Sequence, residues 1–268
     1  MGEIETIIQD LAASHKFFNV MTGISEIKIS KESCSFSPEQ EARIALEWAK
    51  LINLGKVRYS TPLVAAHVHS ITFNGGKLNI PVYSTDFMHY RATLDDNNTR
   101  VWAVGVSGLT RLLCDSGIFY LFGERNGKNL NTGGLLENVP GGFMEPDNLT
   151  NPDPIKSTYL SELVEEVGIP FSEEIKLKPL YVAQLRTDSR PGGRNYQDLC
   201  IEFSADIHGI TPEQTQRYFM EKFKEREHSR LHLINSEDLP KFVKENLDRF
   251  TLRTRHTLQM ELASYIHG

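Results

Sequence analysis

The sequence predicts an α/β protein built on a mixed sheet, and two observations carry that expectation. VWAVGVSGLTRLLC with GIFYLFGER, and KLKPLYVAQLRTDS with YQDLCIEFSADI, read as two long strand pairs joined by turns. Around them stand amphipathic segments at helical spacing, so strands and helices alternate, which favours a sheet layered with helices over a helical bundle. Size agrees: 268 residues, 40% hydrophobic, can bury a core and form one large domain or one small plus one medium.

The elements follow in chain order. SPEQEARIALEWAKLINLG opens with Ser37 as N-cap and Pro38 at the first helical position, then repeats apolar residues at helical spacing until Gly55, predicting a helix. AAHVHSITFNGGKLNIPVYSTDF alternates apolar and polar residues around Asn74, Gly75 and Gly76, which tolerate positive φ, predicting two antiparallel strands. His67 and His69 alternate within it and read as strand-face residues, although histidines at this spacing also suit ligands. No apolar periodicity crosses LDDNNTR, residues 94–100, so a boundary is expected there, between an N-terminal α+β domain (1–95) and a second domain (96–268). Asp115, Ser116 and Gly117 turn the first strand pair and SRPGGRN the second. TPEQTQRYFMEKFKE, SEDLPKFVKENL and LRTRHTLQMELASYI predict helices.

Composition excludes several function classes. With 29 basic against 35 acidic residues, a net charge of −6 and no basic stripe, long nucleic acid is not an expected partner. No run approaches the roughly 18 apolar residues of a membrane span, and the acidic, amphipathic MGEIETIIQDLAASHK is unlike a signal peptide, so the expectation is a soluble cytoplasmic protein without membrane contact. Cys34, Cys114 and Cys200 are far apart and odd in number, which points to reduced packing thiols.

The chemistry concentrates in GGFMEPDNLTNPDPIKSTYLSELVEEVGIP, residues 141–170. PIKSTYLSELVEEVG predicts a helix with Asp153 as N-cap, Pro154 at N1 and Gly168 ending it. Ile155, Tyr159, Leu163 and Val167 form a stripe suited to packing on a sheet. Glu162, Glu165 and Glu166 stand at i, i+3 and i+4 and project from one face. Such like charges cost a helix about 0.2–0.5 kcal/mol per pair, and a bound divalent cation reverses the sign. A solvated acidic face is the bland reading, but it leaves the preceding VPGGFMEP without a purpose. Oxygen-only carboxylates suit Mg²⁺ or Mn²⁺ shared with substrate phosphates.

This stretch resembles the Nudix box. Gly142 takes the opening glycine, Glu162, Glu165 and Glu166 the catalytic and metal-binding glutamates, Leu163 and Ile169 the aliphatic positions, and Gly168 the closing glycine. Ser161 stands where the box has arginine. The loop between Gly142 and Asp153 is five residues too long, leaving Asp153 at the place of the first glutamate. The family's arginine orients one glutamate, so its replacement implies a lowered rate or altered geometry. Most of the chain resembles one branch, the Nudix type 22 hydrolases of UDP-glucose and UDP-galactose. The likeness rests on Tyr83, Asp86 and Phe87 in VYSTDFMHYRATL, on PGGxxEP at Pro140 to Pro146, on the elongated arginine-free box, and on LRTDSRPGGRNYQDLCIEF and EREHSRLHLI.

The resemblance implies a Nudix α/β/α sandwich with a mixed sheet, preceded by a small α+β domain. It also implies Mg²⁺- or Mn²⁺-assisted hydrolysis of a nucleotide sugar, a small-molecule substrate, to UMP and hexose 1-phosphate. Glu165 and Glu166 are the expected metal ligands and Glu162 a ligand or general base, with the carbonyl of Gly141 or Gly142 completing the shell. Glu145 is a further ligand or base, or a solvated loop carboxylate. Asp198 aims at the same metals or the substrate from across the sheet. Arg186 and Arg194 flank a loop and are candidates to clamp phosphate. Tyr83, Asp86 and Arg91 are candidates for base, ribose or sugar contacts, and Phe87 for stacking on the base, with core packing its more ordinary role. The competing readings are a pyrophosphatase for another substrate such as ADP-ribose, and a sensor that binds a nucleotide sugar without cleaving it.

Overall fold

The computed structural model describes residues 2–12, 17–55, 57–94, 100–126, 133–170, 175–186, 197–221 and 227–267. The chain begins with helix α1 (Glu3–Ala12) and strands β1 (Phe17–Met21) and β2 (Glu26–Lys31), then helix α2 (Pro38–Asn53). Ser37 caps α2 with a full capping box: its hydroxyl accepts from Gln40 N–H at 3.2 Å while its own N–H donates to Gln40 Oε1 at 2.7 Å. Strands β3 (Pro62–Ala66), β4 (Thr72–Asn74) and β5 (Lys77–Asp86) and helix α3 (Phe87–Ala92) follow. The hairpin at Asn74 forms between β4 and β5, antiparallel. His67 and His69 are not on a strand: β3 ends at Ala66, and residues Val68–Ser70 turn as a 3₁₀ helix once the His67 N–H donates to Pro81 O at 2.9 Å.

Next come the long strands β6 (Trp102–Cys114) and β7 (Gly117–Arg125), short β8 (Leu136–Asn138) and β9 (Gly141–Phe143), and helix α4 (Pro154–Glu162). Strands β10 (Lys176–Arg186) and β11 (Gln197–His208), helix α5 (Pro212–Glu221), strand β12 (His228–Asn235) and helices α6 (Leu239–Glu245) and α7 (Leu252–His267) complete it.

All these strands join one mixed sheet, in the order β1-β10-β11-β6-β3-β5-β2, with β7 between β6 and β12. β6 organises it, because its 13 residues outlast any single partner. One edge runs parallel to β11, while the other meets β3 at Ala103, β9 at Gly105 to Ser107 and β7 at Arg111 to Cys114, all antiparallel. Its alternating side chains feed two layers. Val104, Val106 and Leu112 enter one core with Ile155, Tyr159, Leu163 and Val167 of the acidic helix and Phe219 of α5. Leu109 enters another with Ile7 and Leu11 of α1, Leu239 and Val243 of α6, and Leu258 and Leu262 of α7. Val101 and Ala103 meet Tyr90 and Leu94 on that same parity. Helices therefore cover both faces, the α/β class expected. Each fully buried apolar side chain contributes about 1.5–3 kcal/mol, so the stripe from Ile155 to Val167 anchors the acidic helix firmly.

The pairing also runs across residues 95–99: β3 bonds to β6, and β1 pairs with β10 from Phe17↔Leu185 to Met21↔Val182. GGFM is wedged between these parts. Met144 donates to Val104 O and accepts from Val64 N–H, both at 2.8 Å.

Candidate active site

Asp153 caps α4 as expected, accepting from Lys156 N–H at 2.9 Å. The helix changes winding at its end: Leu163–Val167 form a π turn, in which the Gly168 N–H reaches Leu163 O and Val164 O at 3.1 Å. Gly168 then takes φ 83°, the left-handed stop that glycine allows without strain. The wider turn separates the three glutamates. Glu165 is exposed, Glu162 half-buried, and Glu166 buried, with 8% of its surface exposed.

Glu166 Oε2 accepts the Gly141 N–H at 3.0 Å. Glu162 lies over Gly142 so closely that a Cβ there would overlap its carboxyl group; only glycine leaves the room. Burial pushes Glu162 up to about 8, with help from the charges of Glu165, Glu227 and Glu145. Burial likewise drives Glu166 well above the carboxylate range, reinforced by Glu137, Glu227 and Glu162. Ser161, at the place of the box arginine, brings a hydroxyl 3.4 Å from Glu165 Oε1.

A second acidic group stands on the sheet. Asp198 is buried and accepts the Tyr90 hydroxyl at 2.7 Å, yet burial still holds its carboxyl up at about 6. Glu137 is buried between His228 Nε2 at 2.8 Å and Arg125 Nε at 2.5 Å. Burial pushes Glu137 up, but these partners outweigh it and hold the carboxyl below its ordinary range. Glu227, next to His228, lies 4.0 Å from Arg125.

Glu145 is exposed and caps the 3₁₀ turn Pro146–Thr150. Tyr83 is buried against the His67 ring, centroids 4.5 Å apart, and its phenol is raised by burial and by Cys34. Asp86 caps α3, accepting from the His89 N–H at 3.0 Å and meeting His89 Nδ1 at 2.8 Å. Phe87 packs on Trp48 and Tyr90, the core role. Arg91 is half-buried on α3. Arg186 ends β10 opposite Gln197; its side chain and all of Arg194 lie outside the described residues.

Sequence reasoning did not single out Tyr90, Glu137, Glu227 or His228. Tyr90 lay inside the quoted VYSTDFMHYRATL, and Glu227 and His228 inside EREHSRLHLI, so position was legible and role was not.

Among the described residues no three Asp, Glu, His or Cys side chains converge as a ready metal cage. The donor chemistry still fits a hard cation, because two carboxyl groups, Glu162 and Glu166, are seated at the adjacent glycines Gly142 and Gly141.

No family model matches the sequence, and no curated protein matches it. Solved structures do. Among the structures it resembles are Nudix proteins. The Nudix domain of Shewanella oneidensis NrtR, complexed with ADP ribose, is 14% identical, with 66% of this chain and 97% of that one covered and a TM-score of 0.39. A Caenorhabditis elegans Ap4A hydrolase binary complex is 11% identical, with 61% and 96% covered and a TM-score of 0.37. A Nudix hydrolase from Nitrosomonas europaea is 16% identical, with 61% and 90% covered and a TM-score of 0.38. Likeness of this order leaves function to be argued from the residues. No helix among the described residues is long and apolar enough to cross a membrane.

Proposed function

We propose that the chain is a metal-dependent hydrolase of the Nudix kind that cleaves the diphosphate of a nucleotide derivative, with UDP-glucose or UDP-galactose the preferred substrate and UMP and hexose 1-phosphate the products. The observation that carries this reading is the seating of Glu166 on the Gly141 N–H beside Glu162 over Gly142. Glu162, Glu165 and Glu166, with a carbonyl of Gly141 or Gly142, would hold Mg²⁺ or Mn²⁺, which supplies charge neutralisation for the diphosphate.

The chain's own residues supply position and proton transfer. Water attacks one phosphorus, its P–O bond to the bridging oxygen breaks, and that oxygen leaves with the other phosphate. The water's proton passes to a carboxylate, for which Glu162, lying over Gly142 beside Glu166, is the candidate. Residues 1–95 contribute to recognition in this reading, supported by the Tyr90 hydroxyl on Asp198 and by Phe143, which packs on Tyr90 two residues beyond Gly141. The acidic balance of the chain favours a small-molecule partner over nucleic acid, and the proposed location is cytoplasmic.

The test is a panel of UDP-glucose, UDP-galactose, ADP-ribose, a dinucleoside polyphosphate and nucleoside triphosphates with Mg²⁺, read by product identity. UMP and hexose 1-phosphate are expected. ADP-ribose cleaved faster than both UDP-hexoses moves the chain to another substrate, and binding without cleavage makes it a sensor.

A further inference from the structure

Arg253, in the first turn of α7, brings its guanidinium beside two glycines. A Cβ on Gly105 would lie 3.8 Å from its Nη1 and one on Gly141 would lie 3.6 Å from its Nη2. The side chain is only 20% exposed. Its backbone is tied down as well, the Arg253 carbonyl accepting from Tyr181 at 3.3 Å and Thr257 at 3.1 Å.

The polar contacts of this guanidinium are loose. Cys200 Sγ lies 3.8 Å from Nη1, and Glu202 Oε1 lies 3.8 Å from Nε. Glu202 is fully buried, and among the described residues neither of its oxygens receives a hydrogen bond of good geometry, although Ser107 and Asn138 lie close by. A buried arginine serving as the counter-ion of one carboxylate closes to about 2.7–2.9 Å. This one stops short of both partners, beside Gly105 and Gly141.

We propose that Arg253 is a positioning residue of the carboxylate site, holding Gly141 where its N–H meets Glu166. It rests on the reading of Glu162 and Glu166 as the reactive carboxylates. The chain is short: the guanidinium comes within 3.6 Å of where a Gly141 side chain would begin, Gly141 donates to Glu166, and Gly142 seats Glu162.

The experiment follows amide hydrogen exchange at Gly141 by NMR in protein labelled with ¹⁵N-glycine, with Gly123 of β7 as internal control. Arg253→Met is combined with Glu202→Gln so that neither charge is left buried alone. Relative to Glu202→Gln, the double variant is expected to exchange Gly141 about tenfold faster, with Gly123 unchanged and the melting temperature within about 3 °C. Gly141 exchange within about twofold of Glu202→Gln overturns the proposal. Should the double variant fail to fold, Arg253→Lys decides: it keeps the charge, loses the planar fork, and is expected to speed Gly141 exchange, whereas unchanged exchange overturns the proposal. Hydrolysis is assayed separately. A wild-type chain that cleaves nothing in the panel refutes the functional reading, and the exchange comparison still decides the role of Arg253.

Discussion

Gly142→Ala is the substitution on which the site geometry can be judged most directly. The added methyl would overlap the Glu162 carboxyl, so Glu162 must withdraw by about 1.5 Å to reach ordinary contact distance. The obstructing group is the end of a flexible side chain, half-buried, so the fold should give way cheaply, at the low end of the roughly 1–3 kcal/mol of overpacking. Catalysis is far less tolerant, since a misplacement of about 1 Å costs on the order of a hundredfold. The expected result is turnover lowered by about two orders of magnitude with a melting temperature within a few degrees of wild type. Steady-state kinetics on UDP-glucose and thermal unfolding measure both. The double variant Gly142→Ala with Glu162→Gln supplies the control: if the methyl acts through Glu162, it is no slower than Glu162→Gln alone. Wild-type turnover in Gly142→Ala, or a further large loss in the double variant, would refute the placement of Glu162 as a reacting carboxylate.

Glu166→Gln is expected to lower turnover by at least about two orders of magnitude with little loss of fold, and EDTA to abolish activity; full turnover after EDTA would remove the metal assignment. Arg91→Ala and Asp86→Asn, the latter able to keep the α3 cap, are expected to raise the Michaelis constant for UDP-glucose severalfold in at least one case with the fold retained, and wild-type kinetics in both would make the N-terminal region scaffold. The Asp86–His89 pair gives a pH test by urea unfolding. Burial pulls the His89 ring down, but hydrogen bonds to Asp86 and Glu41 outweigh it and raise it, so its contribution is complete below the ordinary histidine range and lost as pH rises through the raised value. Burial pushes Asp86 up, but His89 outweighs it and holds the carboxyl low, so that contribution is lost as pH falls through the depressed value. His89→Gln should flatten the alkaline loss, and an unchanged profile would show that the pair does not carry it.

How much of this could be read from the chain depends on the distance over which each feature is encoded. Ser37 with Gln40, and Asp153 with Lys156, are contacts within one helical turn, so the starts of α2 and α4 stand in the sequence as cap residues. The stripe Ile155, Tyr159, Leu163 and Val167 is likewise local and is buried as its spacing predicts. The π turn has no such signature. It closes at Gly168, with Glu166 seated on the Gly141 N–H, and three glutamates at i, i+3 and i+4 end as one exposed, one half-buried and one buried group. Short strands escaped for a related reason: β8 and β9 span three residues each, too few for a period of two to show.

The site itself is the part that local pattern encodes least. Tyr90 and Asp198 are 108 positions apart, and nothing in VYSTDFMHYR distinguishes a tyrosine that bonds a buried aspartate from one that fills core. What brings them together is the sheet. Parallel pairing of β11 with β6 sets Asp198 beside Ala103, and antiparallel pairing sets Ala65 beside Ala103 from the other edge, so strands from both ends of the chain deliver their helices and loops to one place. The same topology sets Gly141 beside Ser107, and Ser107 beside Glu202, under the reach of Arg253 from the last helix. A carboxylate-rich site in this chain is therefore a property of strand order first and of the glutamate motif second. That is why the motif names the glutamates and the two glycines beside them, while Tyr90 and Arg253 emerge only once the sheet is assembled.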